Sequence, residues 1–152
     1  MKREYPDRPL IGVGAIIIDR GRALVVRRAT EPLKGEWSIP GGLLELGETL
    51  RTGVVREAKE ETGLDVVPIE VLEVYDRIVS DAEGRTQYHY VLIDYLCELA
   101  GGELKAASDA SEVRWITRAE LESFPIADSA EEVIRKGFEK VAGCESQAAR
   151  LP

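Results

Sequence analysis

The segment WSIPGGLLELGETLRTGVVREAKEETGL, Trp37 to Leu64, leaves this chain few choices of local structure. Thr49 can cap a helix N-terminus with its side-chain oxygen. Leu50 to Thr62 holds no proline and one glycine, and Gly63 stands where a helix end wants a left-handed residue. The spacing therefore predicts a helix over Leu50–Thr62. At about 100° per residue, Glu57, Glu60 and Glu61 share one side, and Val54, Val55 and Ala58 form another that can face a core. Carboxylates at that spacing repel, and as hard oxygen ligands they suit Mg²⁺ or Mn²⁺. Acidic helix faces are ordinarily just solvated. Here Gly41 and Gly42 precede the helix, so the backbone can turn sharply and approach a metal. Arg56 is placed to hold a carboxylate by a forked hydrogen bond, and Glu48 lies at the helix's N-terminal side.

The flanking sequence alternates in the manner of strands. Leu10–Asp19 and Arg22–Ala29 read as a hairpin about Gly21, and Val66–Ile78 as a strand interrupted near Pro68. After the turn signal Asp81-Ala82-Glu83-Gly84, Thr86–Leu99 reads as a long strand apolar on both faces, hence central and covered on both sides. Lys105–Ser111 reads as a loop and Glu112–Ile116 as a short strand. Thr117 with Glu120, and Asp128 with Glu131, carry capping-box spacing. The last helix bears the apolar stripe Val133, Ile134, Phe138 and Val141, and the tail from Gly143 reads as frayed. The sum is an α/β (α+β) arrangement, a mixed sheet between helices. With 152 residues, 44% of them hydrophobic, residues 1–152 are expected to form a single domain with its core at about 10–141.

A net charge of −8 argues against a nucleic-acid backbone or an anionic membrane surface as partner, since both call for a basic patch. An anionic small molecule is compatible with that charge if metal ions supply the cations. The apolar run around Ala15–Ile18 is too short to span a bilayer, and a cytoplasmic location is expected. Cys97 and Cys144 lack metal-site spacing and are too few for a disulfide framework. Arg27 and Arg28 alternate faces at a strand end, so one of them can meet a phosphate. His89, the only histidine in the sequence, has no second histidine or nearby cysteine with which to form a zinc site, and reads as structural or ligand-lining.

Gly42, Glu48, Arg56, Glu57, Ala58, Glu60, Glu61, Gly63 and Leu64 resemble the Nudix box, G-x5-E-x7-R-E-U-x-E-E-x-G-U with U aliphatic, at every specified position. At average residue usage the seven fixed identities arise by chance in about one window in 10⁸. The resemblance implies a mixed β-sheet between α-helices, and hydrolysis of a nucleoside diphosphate linked to another group X. It implies Mg²⁺ or Mn²⁺ on Glu57, Glu60, Glu61 and the Gly41 carbonyl, with Arg56 and Glu48 in support. It also implies a general base drawn from the box or from a distant acid, here Asp109 or Glu112, of which Glu112 is favoured because it starts a strand. Arg27, Arg28, Arg77 and His89 are the substrate-contact expectations. The general look from Arg8 through the WSIPGG loop to VRWIT is similar to ADP-ribose pyrophosphatase-like members, which makes ADP-ribose or a related nucleotide sugar the expected substrate. The proline that many ADP-ribose hydrolases carry beyond the box is replaced by Ser80, which keeps (d)NTP pyrophosphohydrolysis as the alternative. A non-catalytic nucleotide-sensing module is a further alternative, and a homodimer is a further expectation.

Overall fold

The computed structural model describes residues 2–31 and 33–150, with side chains as far as Cys144. Strand β1 (Leu10–Asp19) turns through Arg20 and Gly21, both at positive φ (51° and 73°), into β2 (Arg22–Arg28). Two left-handed residues in succession match the twist of paired strands. Short strands β3 (Trp37–Ser38) and β4 (Gly41–Leu43) lead into α1 (Leu50–Thr62). There follow β5 (Leu64–Ser80), β6 (Thr86–Gly102), β7 (Ala110–Thr117), α2 (Arg118–Leu121) and α3 (Asp128–Arg150).

The sheet order is β3-β2-β1-β6-β5, with β4 also pairing β1 and β7 pairing β2. Strands β1 and β6 run parallel from Leu10 opposite Tyr90 to Ile17 opposite Cys97, and the remaining pairings are antiparallel. A mixed sheet results. Alternation along β1 then builds a core on each face. Val13, Ala15 and Ile17 pack with Val54 and Ala58 of α1, whereas Ile16 and Ile18 pack with Val133, Ile134 and Phe138 of α3. Each fully buried aliphatic of this kind contributes about 1.5–3 kcal/mol. The expected apolar stripe of the last helix is thus core, and the sheet lies between helices as expected.

Five local expectations are corrected. Strand β5 is continuous through Pro68, because it is the outermost strand of the order and its register shifts between Pro68 and Glu70, so the missing N–H interrupts no ladder. The helical backbone of α3 continues past Gly143 to Arg150, where fraying was expected. Asp128 lies within the first turn of α3, where with Glu131 it complements the helix dipole, in place of the expected capping position. Val55 is 37% exposed while Glu61 is 4% exposed, because Val54, Ala58 and Glu61 stand at i, i+4 and i+7. The acidic and apolar sides of α1 therefore overlap at Glu61. Finally, β6 is central but its buried stretch includes the charged Asp94, 2% exposed. Among the described residues no helix is long and apolar enough to cross a membrane.

Candidate functional site

Helix α1 is fixed at both ends by its own sequence. Thr49 accepts a hydrogen bond from the Thr52 backbone N–H at 3.1 Å, and Gly63, at φ 75°, donates its N–H to the Lys59 carbonyl at 3.0 Å. Between them Arg56 organises the acidic residues. Its Nε donates to Glu48 Oε2 at 2.6 Å and its Nη2 to Glu48 Oε1 at 2.9 Å, a two-point fork. Its Nη1 donates to Glu57 Oε1 at 2.7 Å and Glu60 Oε2 at 3.3 Å, and Nη2 also reaches the Leu43 carbonyl at 3.0 Å. The Arg56 guanidinium holds the Glu48 carboxyl down at about 2, and the carboxylates hold Arg56 above its ordinary range.

Glu57 and Glu61 are different in kind. Burial raises the Glu57 carboxyl against the pull of Arg56, with Glu60 and Asp109 adding to the rise. Burial likewise pushes Glu61 up to about 8, opposed by the Gly41 N–H and Arg28 and assisted by Glu57 and Asp109. The Gly41 N–H donates to Glu61 Oε1 at 3.0 Å. At Gly42 an added Cβ would fall 2.5 Å from the Glu57 carboxylate, so this carboxylate lies directly against bare backbone. Glu60, with a side chain 47% exposed, stays at the rim.

The segment after β6 is hooked onto the end of α1. Lys105 N–H donates to the Thr62 carbonyl at 2.8 Å, Ala107 N–H to the Glu61 carbonyl at 3.2 Å, and Ala29 N–H to the Asp109 carbonyl at 2.8 Å. These bonds bring Asp109 near enough for its charge to act on both Glu57 and Glu61. Glu112, the favoured distant acid, instead faces Arg27 at 3.6 Å with its side chain 56% exposed. Asp109 thus replaces Glu112 as the acid beside the box carboxylates.

Among the described residues no three acidic, histidine or cysteine side chains stand converged as a finished metal shell. The donor set nevertheless fits a divalent cation: Glu57 raises Glu61, Asp109 raises both, and all offer hard oxygens. A cation there would relieve this mutual repulsion and compete with Arg56 for Glu57.

Gly41 and Gly42 also line an open cleft. Its walls come from β1, the end of β2, β3, β4, β5, β6 and the start of α3. Of the expected substrate contacts, Arg28 and Arg77 line it, joined by Arg3. Arg27 does not: its Nε donates to the Gly35 carbonyl at 2.9 Å, on the face opposite Arg28. His89 is also set aside, since Tyr90, Leu92 and Asp94 line the cleft and a neighbour at an odd position of β6 points to the other face. Trp37 both packs edge-on against Phe124, centroids 5.2 Å apart, and lines the cleft. Sequence reasoning missed Arg3, Tyr75 and Asp94. For Asp94 a signal existed: a charged residue inside an otherwise apolar central strand calls for a reason.

Two consequences can be measured. Gly42→Ala is expected to move the flexible Glu57 carboxylate, costing about 1 kcal/mol or less in stability but about 100-fold in turnover, checked by thermal melts beside kinetics. The second concerns pH. Glu61 has a folded pKa of about 8, above its ordinary 4.5, so its contribution to stability is fully present below pH 4.5 and lost as pH rises through 8. Glu48, depressed to about 2, behaves oppositely, losing its contribution only as pH falls through 2. Metal-free melts are therefore expected to show a falling Tm between about pH 5 and 8. A divalent cation binding there is expected to release protons, seen as buffer-dependent heats in calorimetry.

Comparison with known proteins agrees with this geometry. The chain is 39% identical over 107 residues to an ADP-ribose pyrophosphatase of Methanocaldococcus jannaschii, a match covering 70% of this chain and 61% of that protein's length. It is 38% identical over 116 residues to a putative 8-oxo-dGTP diphosphatase 2 of Mycobacterium tuberculosis, covering 74% and 75% respectively. Among solved structures, the Nudix domain of Shewanella oneidensis NrtR, complexed with ADP-ribose, superposes with a TM-score of 0.70 at 25% identity over 90% of each chain. The NUDIX domain profile matches residues 8–137, spanning every strand and all of α1, and with the complete carboxylate motif on that helix the chain belongs to the Nudix family.

Proposed function

We propose that the protein is a divalent-cation-dependent pyrophosphohydrolase that cleaves the diphosphate bond of a nucleoside diphosphate linked to a second group, with ADP-ribose or a related nucleotide sugar as substrate. The observation that carries this reading is the meeting of the cleft with the Glu57 and Glu61 carboxylates at Gly41 and Gly42. Glu57 and Glu61, with Glu60 at the rim and the Gly41 carbonyl, would hold Mg²⁺ or Mn²⁺. When bound, the ion neutralises phosphate oxygens and acidifies a coordinated water.

The chain's own groups then have separate tasks. Arg56 and Glu48 hold Glu57 in place from behind. Arg28 and Arg77 in the cleft wall offer forked donors to the diphosphate. Asp109, beside the carboxylates, accepts the proton of the attacking water. Asp109→Asn is expected to lower kcat by about 100-fold or more, and Glu112→Gln to stay within a few-fold of the parent. The reverse pattern would return the base to Glu112.

The activity for which the Methanocaldococcus relative is named and the ligand of the Shewanella domain support ADP-ribose. The Mycobacterium relative supports a second reading, (d)NTP pyrophosphohydrolysis. Comparing kcat/KM for ADP-ribose, other nucleotide sugars and the common (d)NTPs, in Mg²⁺ and in Mn²⁺, decides between them; preference for any triphosphate would overturn the nucleotide-sugar assignment. A homodimer is also part of this proposal, supported by Val67, Val71, Val74 and Ile78 standing 44–56% exposed along the outermost strand β5. Light scattering that gives a monomer mass at micromolar concentration would remove it.

A further inference from the structure

Asp94 sits in the middle of β6, flanked by β1 and β5, with 2% of its surface exposed. It nonetheless lines the cleft. The Tyr75 hydroxyl is its hydrogen-bonding neighbour, yet Oδ2 has no hydrogen-bond partner among the described residues. A buried acceptor left in that condition costs stability and calls for a reason. Nothing in the carboxylate chemistry above employs it.

The surroundings indicate what it meets. On the adjacent β1, an added Cβ at Gly14 would fall 2.2 Å from Asp94 Oδ1 and 2.7 Å from Ile39 Cδ1, and one at Gly12 would fall 2.6 Å from Leu92 Cδ2. The missing side chains at Gly12 and Gly14 make room for Leu92, Ile39 and the Asp94 carboxylate, which with Tyr75 line the cleft, so the acceptor stands among apolar walls that suit a ring bearing a donor.

We propose that Asp94 is a specificity-determining residue that accepts a hydrogen bond, through Oδ2, from an N–H donor on the nucleobase of the substrate. This rests on the reading that a nucleotide occupies the cleft, and it deepens that reading by naming how the base is chosen. Burial raises the Asp94 carboxyl to about 7, against the lowering effect of Tyr75 and with a further rise from Glu73, so its charge is weakly held without an added donor. A site with a buried acceptor rejects a ligand that lacks the donor, because the acceptor is then left unpaired behind it.

The test needs no turnover. Dissociation constants of AMP and purine riboside 5′-monophosphate, which lacks the 6-amino group, are compared by calorimetry, with GMP and IMP as a second pair differing in the 2-amino group. In the parent protein one pair is expected to differ by about 20-fold in favour of the amino-bearing base. Asp94→Leu is expected to bring that ratio to about 1. Asp94→Asn, equal in volume and still offering an uncharged acceptor, is expected to leave only a few-fold difference. Parent ratios near 1 for both pairs, or ratios unchanged in Asp94→Asn, would overturn the proposal. So would a result in which Asp94→Leu instead abolishes discrimination against 2′-deoxy- or 3′-deoxy-AMP, since the donor would then be a ribose hydroxyl. If ADP-ribose is hydrolysed but the base ratios ignore Asp94, this inference falls and the hydrolase reading stands. If the ratios depend on Asp94 but no nucleotide is hydrolysed, the converse holds.

Discussion

Glu61→Gln is expected to lower turnover of the proposed nucleotide-sugar substrate by about 10³-fold while leaving KM within a few-fold. The carboxylate is 4% exposed, receives the Gly41 N–H at 3.0 Å, and is pushed by burial up to about 8. An amide preserves the shape and can still accept from Gly41, so the fold survives, but it carries no charge to hold a divalent cation. Stability should move the other way. At pH 8–9 the metal-free variant no longer buries a carboxylate next to Glu57 and Asp109, and it is expected to gain on the order of 2 kcal/mol, read as a Tm several degrees above the parent. Loss of activity together with gain of stability separates a functional carboxylate from a structural one. Near-parental turnover in Mg²⁺ would refute the role given to Glu61.

Arg56→Ala is expected to lose both. Its guanidinium makes the two-point fork to Glu48 and single bonds to Glu57, Glu60 and the Leu43 carbonyl, with its side chain only 21% exposed. Without it Glu48, with its side chain 9% exposed, keeps a charge supported only by the Glu45 N–H at 3.1 Å. Breaking such a pair costs about 3 kcal/mol, or about 10 °C in Tm for a chain of this size. Turnover is expected to fall by about 10²–10³-fold, because Glu57 loses the partner that aims it. Arg56→Lys should recover part of the stability and little of the activity, since an ammonium cannot reproduce the planar fork. A lysine variant with full turnover would show that charge alone suffices at this position. Adding Glu48→Gln to Arg56→Ala should recover stability, as the stranded charge is then gone.

How much of this could be read beforehand divides along a physical line. The bounds of α1 were legible because a capping threonine and a left-handed glycine act within a few residues of chain. The same holds for the Arg20-Gly21 hairpin, the Asp81 turn, whose carboxylate accepts the Glu83 and Arg85 N–H groups at 2.9 Å, and the Thr117–Glu120 capping box. The box spacing also determined which glutamates would lie together, since a helix converts sequence separation directly into angle. Which of them would be buried was not so determined: Glu61 shares its face with Val54 and Ala58, and only the packing of α1 on β1 shows that this side, not the one with Val55, turns inward. The distant residues depended entirely on tertiary structure. Asp109 reaches the carboxylates because the Lys105 and Ala107 N–H groups bond to the end of α1, and Arg28 rather than Arg27 enters the cleft because the sheet turns that face of β2 toward it. Asp94 stood out in the sequence as a charge within an apolar strand, but its place in the cleft was decided only when β1, with bare glycines at 12 and 14, was laid parallel beside β6. Local sequence acts through backbone geometry over one or two turns, whereas burial, desolvation and the meeting of charges from separate strands arise only when the sheet closes on its helices.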